Sequence, residues 1–362
     1  MTDDVYRQLQ EHLNKTPTGF PPTESGVEIS LLKRLFTPEE AEIAKMLKFS
    51  WMNLEPLETI YERVKHLGYS LEELEQHLDN MAKKGGIAYF KKGKTKNYGN
   101  AMLLIGMYEF QVNKLTKGFI NDMKQYIQEA WGREAAKVPV SQLRTIPVGI
   151  SIKHDMNITN YDDVKTIMDN IEEPIVVTNC VCRQEKDLFE DPCKMTSRRE
   201  VCIGYGGIAR MYIDLGWGRQ ITKQEALEIL KNNEKDGLIF QPGNAQKPDF
   251  ICSCCACCCL GLAGLKRHPT PADLITSNYF AEIDSDSCTG CETCIDICQM
   301  DAISLEGSIS VVNRKRCIGC RNCMLACPSD AITMHKKSKQ HVPPLTGEEL
   351  YDKMSKMRKK VI

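Results

Sequence analysis

The chain lacks a charge bias. Its 47 Lys and Arg stand against 48 Asp and Glu, a formal net charge of −1 over 362 residues. That excludes the bulk attraction to nucleic acid or anionic lipid on which strongly basic chains rely. Long apolar runs are also missing: none reaches the ~18 residues of a membrane span, and residues 1–15 are charged and amphipathic, unlike an export segment. The seven histidines are scattered, and His154, His268 and His335 show no metal spacing. Neither glycine cluster, Gly204-Tyr-Gly206-Gly207 or Gly216-Trp-Gly218, forms the G-x-G-x-x-G of a nucleotide loop after a strand. No catalytic Ser–His–Asp or Cys–His arrangement can be argued from the order of residues.

Cysteine, by contrast, is abundant, with 18 residues. Without an export segment, that number points to metal ligation in a reducing cytoplasm rather than to disulfides. Eight of them form two identical runs, Cys288, Cys291, Cys294, Cys298 and Cys317, Cys320, Cys323, Cys327. Each run reads C-x2-C-x2-C-x3-C, the spacing that binds iron–sulfur clusters. Three close thiolates reach three corners of one cubane from a single loop, and the fourth iron needs a ligand from elsewhere. The copies are 29 residues apart, and Asp301-Ala302-Ile303 repeats as Asp330-Ala331-Ile332, so a half-domain is duplicated. Gly290 and Gly319 allow tight bends, and Ile295, Ile297, Ile318, Met324 and Leu325 are suited to keeping water away.

These runs resemble the two-cluster bacterial ferredoxins. The resemblance implies two [4Fe-4S] clusters, one on Cys288, Cys291, Cys294 and Cys327, the other on Cys317, Cys320, Cys323 and Cys298, because the last cysteine of each run crosses over. One departure is Gln299, where the first run lacks the proline that follows the second as Pro328. Oxygen destroys many exposed clusters, so an anaerobic source is expected.

Ten cysteines remain: Cys180, Cys182, Cys193 and Cys202, then Cys252, Cys254, Cys255, Cys257, Cys258 and Cys259. Six thiols in eight residues would oxidise or bind soft metal if left free. They are candidate ligands of one or two additional iron–sulfur clusters. A simple division gives Cys180, Cys182, Cys193 and Cys202 to one cluster and members of the 252–259 run to another. Mixed ligation, a larger non-cubane cluster, and one zinc with free thiols are the alternatives. Adjacent cysteines such as Cys254 and Cys255 point different ways and would serve different irons. The basic residues Arg183, Lys186, Lys194, Arg198 and Arg199 would offset thiolate charge.

The fold class expected is α+β and multidomain. Residues 1–105 are similar to a winged-helix domain: capping boxes at Thr37–Glu40 and Ser70–Glu73 start helices, and strands at 87–90 and 101–105 flank a basic turn. Glu72, Glu73, Glu75 and Asp79 on the would-be recognition helix would repel phosphate. Residues 106–140 read as a long connecting helix, 141–275 as a mixed α/β cysteine-rich iron–sulfur domain, 276–335 as the dicluster ferredoxin domain and 336–362 as a basic tail. Residues 145–152 read as a strand or extended linker. Taken together, the order resembles cytoplasmic iron–sulfur proteins of anaerobes. The function implied is a cytoplasmic electron carrier, or an oxidoreductase subunit, relaying electrons between a donor and a partner oxidoreductase. A homodimer is compatible with the apolar stripe Phe119, Met123 and Ile127; nucleic acid and a membrane span are not expected. Two alternatives are an iron–sulfur reductase with a substrate-binding cluster in the 180–259 region, and a redox-responsive winged-helix regulator.

Overall fold

The computed structural model describes residues 2–51, 53–149 and 158–361. The chain divides into two compact units. One comprises Met1–Val140, Gly207–Arg219 and Glu348–Ile362; the other comprises Ser141–Gly206 and Gln220–Gly347.

In the first unit, the helices Thr2–Leu13, Val27–Leu35, Pro38–Ala44, Leu57–Val64 and Leu71–Lys84 accompany a three-stranded sheet. Both capping boxes form: the Thr37 and Ser70 hydroxyls accept from the Glu40 and Glu73 backbone N–H groups, and each glutamate accepts from its cap residue's N–H. The hairpin pairs Ile87–Lys92 with Thr95–Asn100. It is tighter than expected, and its second strand ends at Asn100. Gly93, at φ +62°, closes a two-residue turn that pairs the strands at once. The long helix starts at Lys117 rather than 106, because Thr116 caps it by accepting from Phe119 N–H at 3.2 Å. The stretch before it holds short turns around Ile105. Trp217 stacks on Phe110 and meets Tyr212 edge-on. The tail helix Gly347–Val361 buries Leu350, Tyr351 and Met354, and Arg358 donates to Glu134 at 2.6 Å.

A five-stranded sheet forms the frame of the second unit, in the order Arg219–Ile221, Ile175–Asn179, Glu200–Tyr205, Phe250–Cys254, Ile239–Pro242. The helix Lys223–Lys235, capped by Thr222, covers one face. Ala226 and Leu230 pack there with Ile175, Val177, Ile203 and Ile251, and Asn233 donates to Val201 O and Ser253 Oγ. Side chains alternate along a strand, so Cys202, Cys252 and Cys254 fall on the opposite face. Ile146 bridges to Phe240; the remainder of the expected 145–152 strand, from 150 on, lies outside the described residues. Arg144, 1% exposed, ties this end together, donating to Asp162 at 3.0 Å, to Ala245 O at 2.7 Å, and to the carbonyls of Gly243 and Tyr161.

The C-terminal part of this unit repeats itself. Left-handed backbone recurs at Gly290 and Gly319, Glu292 and Arg321, Asp301 and Asp330. Short helices Thr293–Asp296 and Asn322–Ala326 follow the same offset, as do the strands Ile303–Glu306 and Ile332–Lys336. Ile332–Lys336 pairs with Tyr279–Ile283, and Ile303–Glu306 with Ile309–Val312.

Candidate metal centres

The two repeated loops are cradles that tolerate no side chain at their glycines. A Cβ on Gly290 would lie 2.4 Å from Ser308 O, and one on Gly319 would lie 2.3 Å from Tyr279 O. Cys298, Cys317, Cys320 and Cys323 line one small cavity of about 20 Å³, walled by Ile297, Ile318 and Met300. The last cysteine of the first run thus joins three of the second. Backbone N–H groups aim at the sulfurs: Ala302 N–H donates to Cys298 Sγ at 3.2 Å and Ala281 N–H to Cys317 Sγ at 3.4 Å. Burial pushes the Cys320 thiol up to about 12 and raises that of Cys323 as well. In the other loop Cys294 is buried and Cys291 is exposed. Donation from the Ser310 and Gly290 backbone lowers the Cys288 thiol, and Thr293 does the same for Cys291.

The ten remaining sulfurs form two groups, and the division differs from the simple one. Cys193 leaves Cys180, Cys182 and Cys202 and joins Cys255, Cys257 and Cys258. These four Sγ atoms all lie within 4.8 Å of one another. Cys193 is 3.6 Å from Cys255 and 3.9 Å from Cys257, and Cys257 is 3.5 Å from Cys255 and 3.7 Å from Cys258. The other six close a ring in the order Cys180, Cys182, Cys259, Cys254, Cys252, Cys202, each thiol meeting the two beside it. Local structure accounts for the ring. Cys252 and Cys254 share one face of their strand, and Cys202 lies one step from the Ile203–Ile251 pair on the neighbouring strand. Cys180 and Cys259 each begin a helix. Cys254 therefore belongs to the ring and its neighbour Cys255 to the group of four.

Around the ring the acidities alternate. Cys180, Cys252 and Cys259 are lowered and Cys182, Cys202 and Cys254 are raised, in each case chiefly by interaction with the sulfurs on either side. In the group of four, Cys193 is held well down by donation from Cys255 and Cys258. Arg183 is fully buried; its Nε and Nη2 each donate to a sulfur, Cys193 and Cys255, at 3.3 Å, and its Nη1 donates to Ser253 O at 3.0 Å. A guanidinium placed so deeply calls for anionic partners, and thiolates supply them. Of the other basic residues expected here, Lys186, Arg198 and Arg199 pair with Asp191, Asp236 and Asp187 instead.

Residues 281–334 match the family model of a 4Fe-4S dicluster domain. No curated protein and no solved structure matches the chain. The glycine cradles, the cavity walled by four thiols and the N–H donors onto sulfur fit that cofactor, and the dicluster domain and further cysteines equip the chain with multiple 4Fe-4S clusters. Among the described residues no helix is long and apolar enough to cross a membrane.

Three hydrogen bonds that sequence reasoning missed, from Gln299 and Asn322, join the dicluster domain to Ala256 of the cysteine-rich loop and to Gly237. Gln299 accepts from Ala256 N–H at 2.8 Å and donates to Gly237 O at 2.5 Å, and Asn322 donates to the same carbonyl at 2.7 Å. The signal was the missing proline: position 299 carries an amide with a donor and an acceptor because it docks on two backbones. One apolar core then runs through Cys254, Cys259 and Leu262 to Met300, Ile318 and Cys323.

Proposed function

We propose that this chain is a cytoplasmic electron carrier that relays electrons between a redox donor and a partner oxidoreductase, through the dicluster domain and the cysteine-rich region. Bound 4Fe-4S clusters supply one-electron chemistry; the chain's residues hold, space and insulate them. On this reading Cys288, Cys291, Cys294 and Cys327 hold the outer cluster, and Cys298, Cys317, Cys320 and Cys323 the inner one. The observation that carries the relay is the Gln299 bridge within a shared apolar core, which connects the inner cysteines to the 252–259 loop.

The outer end suits docking. Cys291 is exposed, and the exposed acids Asp284, Asp286, Glu292 and Asp296 surround it in sequence. A basic face on the partner would be steered there, with an association rate that falls as salt rises. The N-terminal unit has the element order of a winged helix, and a protein-docking role suits it better than DNA binding. Its Leu71–Lys84 helix is acidic on the exposed side, and Lys96 of the hairpin pairs with Glu75 at 2.8 Å and Asp79 at 2.7 Å, so a basic side chain of the wing is already engaged.

The test is Gln299→Ala in the full chain, prepared without oxygen. Iron content should match wild type, while rapid-freeze EPR after reduction should show slower arrival of electrons in the cysteine-rich region. Equal iron with an unchanged rate would remove the bridge from the relay.

A further inference from the structure

We propose that Cys193, Cys255, Cys257 and Cys258 bind a single tetrahedral metal ion, zinc or iron, which leaves the six-sulfur ring as the place for an iron–sulfur cluster in this region. The argument is one of spacing. Four thiolates each about 2.3 Å from a tetrahedral ion stand about 3.8 Å apart. Four of the six separations in the group, 3.5 to 3.9 Å, bracket that value, and the other two stay within 4.8 Å. The outer sulfurs of a cubane each bind a different iron and must surround the whole core of iron and sulfide. Sulfurs that all lie within 4.8 Å of one another leave no room for it.

The same chain supplies the contrast. Cys298, Cys317, Cys320 and Cys323 stand around a shared cavity rather than converging on one point. Among the described residues neither the dicluster cysteines nor any three of the ring sulfurs form such a close set. The narrow spacing is therefore peculiar to one site. It is built by a tight loop, in which Cys258 and Cys259 N–H donate to Cys255 O at 3.3 and 2.9 Å, closed by Cys193 from a separate segment.

Its charge is also managed. Four thiolates around a divalent ion carry a net −2, and the buried Arg183 fork offsets part of it through two of the sulfurs. With four protein ligands the coordination is closed, so no position remains for a substrate. A zinc ion there would pin the Cys193 segment to the 255–258 loop; an iron ion would add a one-electron couple.

The experiment is metal and acid-labile sulfide analysis of the full chain purified without oxygen, for wild type and for Cys193→Ser and Cys257→Ser. In wild type, either one zinc per chain accompanies equal iron and sulfide, or iron exceeds sulfide by one per chain; these arms distinguish the two metals. Each variant should lose that one metal and no sulfide. Wild-type iron equal to sulfide with no zinc would overturn the proposal without reference to any variant. So would a variant that loses iron and sulfide in equal amounts, about four each.

Discussion

Arg183→Met tests whether the four-sulfur group is a metal site at all. The guanidinium is fully buried and makes three hydrogen bonds, two to sulfurs at 3.3 Å and one to Ser253 O at 3.0 Å. A hydrogen bond to a charged group is worth about 1.5–3 kcal/mol, so the two N–H···S bonds set a ceiling of about 3–6 kcal/mol. Methionine removes the desolvation cost of burying the charge, which returns much of that. Losing an outer partner of a metal ligand typically weakens metal binding about 10–100-fold, or about 1.4–2.8 kcal/mol, and the substitution should fall in that range. Arg183→Lys keeps the charge but not the planar fork, and should fall between wild type and methionine. Arg199→Met is the control, since it breaks a pair with Asp187 at the surface and should leave the metal in place. The assay is the rate and extent of metal transfer to a competing chelator, with far-UV circular dichroism to confirm folding. Folded Arg183→Met that yields metal no faster than wild type would refute the reasoning.

Gly319→Ala places a Cβ 2.3 Å from Tyr279 O at φ +69°; the protein should lose about four iron atoms and four sulfides per chain, and retention of full iron would contradict the cradle. Arg144→Met strands the buried Asp162 carboxylate and should cost about 3–5 kcal/mol in denaturant unfolding, whereas Arg144→Met with Asp162→Asn should cost less; equal losses would count against a buried pair. His12 is lowered by burial, partly opposed by its bond to Leu47 O at 2.6 Å. Its contribution to stability is fully present above the ordinary value of about 6.5 and is lost as pH falls through the depressed folded value. His12→Gln should flatten the fall in melting temperature between about pH 7 and 5.5; an unchanged slope would assign the acid sensitivity elsewhere.

The dicluster segment was legible because its chemistry is local. Three ligands of each cradle come from one loop, and the 29-residue repeat reappears in the backbone at Gly290 and Gly319, Asp301 and Asp330. Capping boxes at Thr37 and Ser70 were equally local. The middle region was not legible in the same way, because its grouping depends on strand register. Cys193 lies between Cys182 and Cys202 in the chain, yet its sulfur meets those of Cys255 and Cys257. Strand alternation places Cys252 and Cys254 together and sends Cys255 to the other site, but which strand stands beside them appears only in three dimensions. The hairpin and the helix at Lys117 shifted for smaller reasons: a left-handed glycine and a threonine cap decide such boundaries, and apolar spacing does not mark them.

EPR of the full chain, reduced and frozen without oxygen, is the most direct test of a multi-cluster electron carrier. The account requires iron-dependent signals that integrate to more than two spins per chain and broaden one another, as centres sharing one apolar core would. A colourless, iron-free and EPR-silent protein would contradict it outright, and isolated signals limited to two spins would confine electron transfer to the dicluster domain.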